Sequence, residues 1–317
     1  MGGDGKGSLA SQFDMMYYVK AAAAGGLCCS ITHGAVTPLD VVKTRIQLDP
    51  VKYNSGFLGT FRTVVKAEGP GALLTGLGAT AAGYFVQGWF KFGGVEFFKI
   101  KIASAVGEEA AWNNRTSIYL GASAMAEFIA DLFLCPLEAV RIRSVSDPAF
   151  PQSLPAGFAR MYSTEGLTGF YAGLGPILFK QVPYTMAKFA VQGSAAEYIY
   201  NSLGSSPQQM TASQNVGVSL ASGVIAGVAA AIISHPADTL LSKVNKAGAG
   251  GTGPITSRLM NIAREIGFVK LATTGLGARC VMIGTLTAGQ FGIFDSVMNV
   301  LGAKKFHFHN PHSESHH

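Results

Sequence analysis

Six long apolar stretches dominate the chain, at residues 16–42, 72–100, 116–142, 170–200, 215–241 and 271–301. Each is near or above the roughly 20 residues an α-helix needs to cross a bilayer, so the pattern predicts six membrane-spanning helices. Between the members of each successive pair lies a short amphipathic piece, at residues 56–66, 154–163 and 255–265. Such a piece is expected to lie on the membrane surface as a short helix. Residues 107–114 and 202–209 are polar and read as loops, 248–254 reads as a flexible turn, and the polar, His-rich tail from Lys304 is predicted to be disordered. In the odd-numbered stretches small residues recur four apart, as in Ala21, Gly25 and Cys29 or Ser219, Gly223 and Gly227, a spacing that lets helix backbones approach closely.

The ends of the odd-numbered stretches repeat. Pro38-Leu39-Asp40-Val41-Val42-Lys43-Thr44-Arg45 recurs 98 residues later as Pro136-Leu137-Glu138-Ala139-Val140-Arg141-Ile142-Arg143. It recurs again 100 residues on as Pro236-Ala237-Asp238-Thr239-Leu240-Leu241-Ser242-Lys243. A second triplet keeps the period: Glu68-Gly69 to Gly76-Leu77-Gly78, Glu165-Gly166 to Gly173-Leu174-Gly175, and Glu265 and Gly267 to Gly275-Leu276-Gly277. Proline and charge at the end of an apolar helix are costly in lipid unless the freed groups find partners, and three repeats around one axis would supply them. The chain therefore reads as three repeats, at 13–105, 114–203 and 212–303, sharing one barrel-like all-α assembly, followed by the tail at 304–317.

Composition agrees. Charged residues are 13% and apolar residues 48% of the chain, against roughly 25% charged in a soluble domain. The net charge of +6 suits anionic lipid heads or anionic solutes, whereas nucleic acid is disfavoured because the basic residues are scattered and many fall inside apolar segments. Cys28, Cys29, Cys135 and Cys280 have no spacing that suggests zinc or a disulfide framework, and no metal or cofactor motif is present. No nucleophile elbow, zinc-protease helix or complete phosphate loop occurs, so the chain does not read as an enzyme. The first 14 residues carry neither a secretory core nor an Arg-rich presequence, which leaves targeting to internal signals.

Superposing the even-numbered stretches by the repeat offsets puts Lys91, Lys188 and Gln290 at one level and Thr80, Ile177 and Arg279 at another. Thr80, Tyr84, Gln87 and Lys91 form one stripe, and Lys180, Tyr184 and Lys188 another. An unpaired lysine inside a membrane helix costs about 2.5–3.5 kcal/mol, so these lysines are expected to face a wet cavity. Lysines, an arginine and hydroxyl donors around such a cavity suit a small, highly charged oxyanion. Two further ionisable residues lie inside the odd-numbered stretches: His33, five before Pro38, and Glu127, nine before Pro136, where other repeats have Cys29 and Gly227. Asp131, one turn after Glu127, belongs to the same neighbourhood.

These motifs resemble the mitochondrial carrier family over residues 13–303. His33, the run from Pro38 to Leu48, Phe90-Lys91-Phe92-Gly93, Gln181-Val182-Pro183-Tyr184, Ala187-Lys188-Phe189, Pro236-Ala237-Asp238-Thr239 and Met282-Ile283-Gly284-Thr285 resemble its phosphate-carrier branch. The resemblance implies a six-helix barrel of pseudo-threefold symmetry with one central substrate site, opening alternately to the intermembrane space and the matrix. It implies a working monomer in the mitochondrial inner membrane, with cardiolipin at the ends of the surface helices. It also implies electroneutral import of phosphate with a proton, or in exchange for hydroxide, with His33, Glu127 and Glu138 at the proton-coupling positions.

A matrix gate follows from the same resemblance: Asp40 is expected to pair with Arg141 and Asp238 with Lys43. The third motif departs from the pattern, with Leu241 where a base should stand. That leaves Glu138 without its expected cation, and burial without a partner favours the neutral carboxyl. On the opposite side Glu96 and Lys99 carry the expected acid and base, but the aligned residues are Gly193 and Ala196, then Asp295 and Met298. One ion pair, Asp295 with Lys99, is available, so this gate is expected to open easily and to favour the state open to the intermembrane space. A dicarboxylate or copper are the rival substrates; five of the seven histidines (His307, His309, His312, His316 and His317) lie in the tail, which reads as dispensable for transport rather than as a metal site.

Overall fold

The computed structural model describes residues 13–48, 51–147, 149–151, 153–244, 255–273 and 275–308. Eleven α-helices account for most of them: α1 (Met15–Leu48), α2 (Gly56–Glu68), α3 (Leu77–Val106), α4 (Glu108–Asn113), α5 (Arg115–Ser146), α6 (Leu154–Tyr171), α7 (Leu174–Ser202), α8 (Ala212–Val244), α9 (Ile255–Ile266), α10 (Phe268–Thr273) and α11 (Leu276–Val300). Six of them, α1, α3, α5, α7, α8 and α11, are 25 to 34 residues long. At 1.5 Å per residue that is more than the roughly 30 Å of a bilayer core. Each packs on the next in chain order and α11 returns to α1, closing a ring. The proline motifs end α1, α5 and α8 at one end of the ring. The start of α1 and the end of α11 lie at the other, here called the outer end.

The polarity of the ring is inverted relative to a water-soluble bundle. Leu27, Ile31, Phe128, Ile225, Ile233 and Val281 are exposed on the outside, while Lys91, Glu96, Lys99, Glu127, Asp131 and Lys188 are buried within. Hydropathy alone selects α5, α8 and α11 as membrane spans. In α3 and α7 the inward-facing lysines lower the average without putting charge into lipid.

Close helix contact depends on the small residues. A Cβ built on Gly88 would lie 2.2 Å from the carbonyl oxygen of Gly25, and one on Gly227 would lie 2.6 Å from that of Ile283. The α1–α3 and α8–α11 pairs of the first and third repeats therefore meet backbone to backbone, at the positions with four-residue spacing. The Glu-Gly signature has a backbone cause as well. Gly69, Gly166 and Gly267 all have positive φ, at 85°, 66° and 80°, and end or break the surface helix of each repeat.

Two expectations are corrected. Residues 107–114 are not simply a loop, because Glu108–Asn113 forms α4. The tail is not disordered from its start: residues 305–308 are packed, with Phe306 only 6% exposed in the core at the outer end. The remainder of the tail, 309–317, and the turn at 248–254 lie outside the described residues.

Candidate substrate site

Two polar layers cross the inside of the barrel. The deeper one contains Lys91, Lys188 and Gln290, the level obtained by superposing the repeats. Lys91 Nζ lies 3.0 Å from Glu127 Oε1 on α5. Gln87, one turn before it, donates to Glu127 at 3.1 Å and to Asp131 at 3.3 Å. Lys188 donates to Gln290 Oε1 across the barrel. Gln290 in turn lies 3.3 Å from His33 Nε2 and 3.7 Å from Cys29 Sγ. His33 stacks on Tyr84 with ring centroids 3.5 Å apart, and Tyr184 Oη lies 3.4 Å from Thr287 Oγ1. Residues from all three repeats thus converge on one level.

The lysines do not face an open wet cavity, as expected from their insertion cost; Lys91 and Lys188 are 4% and 1% exposed. Glu127 supplies the countercharge for Lys91. Lys188 has an amide and a ring of aromatic faces instead, 5.0 Å from Phe92, 5.4 Å from Phe291, 5.6 Å from Phe189 and 5.9 Å from Tyr184. Desolvated cation–π contacts of about 2 kcal/mol each make such a lysine tolerable without a carboxylate. Thr80 is buried with its hydroxyl unpartnered.

The second layer lies nearer the proline motifs. Arg141 reaches Asp40 at 3.3 Å, and the two are 14% and 34% exposed at the side chain. Two carboxylates are paired otherwise than expected. Glu138 is not left without a cation, because Arg141, one turn on along α5, also holds it at 2.9 Å. Asp238 pairs with Arg279 on α11 and lies 3.6 Å from Lys180 on α7, rather than pairing with Lys43. Arg279 also donates to Ser234 at 3.0 Å. The even-numbered helices therefore supply cations to this layer. Lys180 and Arg279 belong to an ion network here, and Leu241 has its side chain outside the described set.

A third set of contacts was not foreseen. Arg45 meets Glu68 at 3.0 Å, and Arg143 meets Glu165 at 2.7 Å, the same position in two repeats. Each bridge ties the end of an odd helix to the surface helix that follows. The signal was available, because the last base of the motif precedes the Glu of the Glu-Gly signature by 23, 22 and 22 residues in the three repeats.

The outer end is sealed differently from the expected Asp295–Lys99 pair. Lys99 Nζ binds Glu96, its neighbour on α3, at 2.5 Å, and Asp295 accepts from Ser219. Tyr17 Oη donates to the other Glu96 oxygen at 2.7 Å. Beneath these groups Phe92, Phe189 and Phe291 meet edge to face, with centroids 5.0, 5.5 and 5.7 Å apart. Each follows Lys91, Lys188 or Gln290 by one residue, so the polar layer has an aromatic lid of the same threefold origin. The state described has its outer end closed, whereas the missing ion pairs led to the expectation of a state open there.

Comparison with known proteins agrees with this architecture. The Mitochondrial carrier protein family matches residues 14–105, 113–203 and 212–305. Mitochondrial substrate carrier family protein N of Dictyostelium discoideum is 51% identical over 288 residues, covering 90% of this chain and 95% of that protein. The mitochondrial Phosphate carrier protein of Caenorhabditis elegans is 45% identical over 285 residues, or 89% of this chain and 80% of that protein. Human Solute carrier family 25 member 3 is 40% identical over 282 residues, or 89% of this chain and 75% of that protein. With three matched repeats closing one ring of six helices around a buried polar layer, the chain belongs to the mitochondrial carrier family of transporters.

Proposed function

We propose that this protein carries inorganic phosphate across the mitochondrial inner membrane by alternating access, with a proton in the same direction or hydroxide in the other. The observation that carries the reading is the Lys91, Lys188 and Gln290 layer, with Tyr84, Gln87 and Tyr184 beside it. Two buried cations, amide and phenol donors make a compact tetrahedral anion a better ligand than a long one. Thr80, Lys180 and Arg279 line the approach from the proline-motif end, which faces the matrix on this reading. Relatives named as phosphate carriers support the choice of anion.

The ion pair at Lys91 suggests how a proton is coupled. An arriving phosphate competes with Glu127 for the lysine. A carboxylate stripped of its cation in a dry site is stabilised by taking up a proton, so the anion and the proton enter together. His33, 3.3 Å from Gln290, and Glu138, in the gate with Asp40 and Arg141, extend a route for that proton towards the matrix side. The carrier acts as a monomer, with cardiolipin at the surface-helix ends. The gates are Asp40, Lys43, Arg141 and Asp238 on the matrix side and Glu96, Lys99 and Asp295 on the other.

Thermal unfolding of the detergent-solubilised protein with phosphate, sulfate, malate or copper(I) tests the ligand class. Phosphate is expected to raise the transition by mass action, and Lys188→Ala to abolish that rise. Stabilisation by malate or copper in place of phosphate would replace the substrate and keep the fold.

A further inference from the structure

The C-terminal segment after α11 crosses the outer mouth of the barrel. Gly302 turns the chain at φ 68°, and Ala303 N–H donates to the Met298 carbonyl at 2.9 Å, which reverses its direction. Lys305 Nζ then donates to Gln192 on α7 at 2.9 Å and stands 5.0 Å from the ring of Phe291 on α11. Phe306 N–H donates to Tyr17 Oη on α1 at 3.0 Å, and its carbonyl accepts from Lys99 on α3 at 3.3 Å. The Phe308 ring lies 5.4 Å from Tyr119 on α5, and the His307 ring lies 5.8 Å from Tyr200 on α7. The five described residues 304–308 thus touch α1, α3, α5, α7 and α11, which a segment lying along one side of the ring could not do.

The contacts also fill a gap in the barrel. Helices α7 and α11 offer Gly193, Ala196 and Met298 where an ion-pair network would need charges. Lys99 finds its second partner in the Phe306 carbonyl, and Lys305 supplies a cation directly above the aromatic lid. A narrow cleft of about 50 Å³ lies beside the segment, lined by Tyr200, Asn215, Asp295, Met298, Lys305 and His307 among others.

We propose that residues 304–308 complete the outer gate of this carrier over Glu96, Lys99 and Asp295, as a tethered plug held by Lys305 as its positioning residue, which must leave the mouth before the path opens to the intermembrane space. The proposal rests on the alternating-access reading above, but its test needs no transported substrate.

The test uses Met298→Cys, a position 1% exposed beneath the segment, in full-length protein reconstituted in liposomes. Its labelling by a membrane-impermeant maleimide is compared with that in the same protein ending at Ala303, and in the full chain carrying Lys305→Gln with Phe306→Ala. Thermal unfolding of each variant establishes that it is folded. Because labelling follows the opening equilibrium, the truncated and doubly substituted proteins are expected to label at least about tenfold faster. Lys305→Arg should restore slow labelling where Lys305→Gln does not. Equal rates in folded full-length and altered proteins would overturn the gate, as would rapid labelling of the full chain. Absence of phosphate flux in the full chain would remove the substrate reading and leave this result standing.

Discussion

Replacing Lys91 with alanine tests the deep layer as both a folding element and a binding element. Lys91 Nζ is 3.0 Å from Glu127, and among the described residues no other cation lies within 4.0 Å of that carboxylate. Glu127 and Asp131 are fully buried, so Lys91→Ala leaves two carboxyl groups with Gln87 as the donor they share. Removing one partner of a buried pair costs about 3–5 kcal/mol. At about 2 °C per kcal/mol for a chain of this size, the melting transition falls by roughly 6–10 °C. The buried thiols of Cys28, Cys29 and Cys135 supply the assay, since a thiol-reactive fluorophore reports their exposure on heating. In Lys91→Ala with Glu127→Gln the stranded charge is gone, and most of the loss should be recovered. Phosphate uptake should stay abolished in both variants, because the cation is missing from each. A Lys91→Ala protein that melts with the wild type, or a double variant no more stable than the single one, would refute the reasoning.

Two further outcomes follow from the packing and from the outer end. Gly88→Ala would press a Cβ to 2.2 Å from the Gly25 carbonyl and 2.7 Å from Cys29 Cβ, so it should destabilise by about 1–3 kcal/mol; Gly121→Ala, with nothing within 4 Å, should not, and equal melting of the two proteins would remove the close-contact account. His307 is held neutral by burial and by the nearby charges of Lys305 and Lys99, which push its pKa down to about 3. The titratable groups around it are Tyr200 on α7, Asp295 on α11, Lys99 on α3, and Lys304 and Lys305 on its own segment. Because the docked pKa lies below the ordinary value of about 6.5, the proton prefers the undocked segment. Docking is complete above that pH and weakens by up to about tenfold per unit as the pH falls towards 3. Labelling of Met298→Cys, normalised to the same protein with His307→Gln, should rise with outside acidity, and a flat ratio would sink the idea.

The legible parts of the molecule were those a repeat writes three times. The proline motif, the Glu-Gly turn and the Lys91, Lys188 and Gln290 level all follow from offsets, and each has a local physical cause in backbone or burial. Partner choice was less legible. Glu138 and Asp238 have several cations within reach of an interior, and only geometry decides that Arg141 serves both Asp40 and Glu138 while Arg279 serves Asp238. The aromatic lid was missed because three phenylalanines in apolar helices carry no contrast, although each follows a polar-layer residue by one. The tail was misread because its polarity as a whole hides two aromatic residues, Phe306 and Phe308, that pack into the mouth.

The account stands most directly on uptake of radiolabelled phosphate by liposomes containing the purified protein, with and without an acid-outside pH gradient. Uptake accelerated by the gradient, and abolished in Lys91→Ala and Lys188→Ala, is the predicted result. Folded protein that moves no phosphate under either condition, or moves it at a rate indifferent to the gradient, would contradict proton-coupled phosphate transport through this layer.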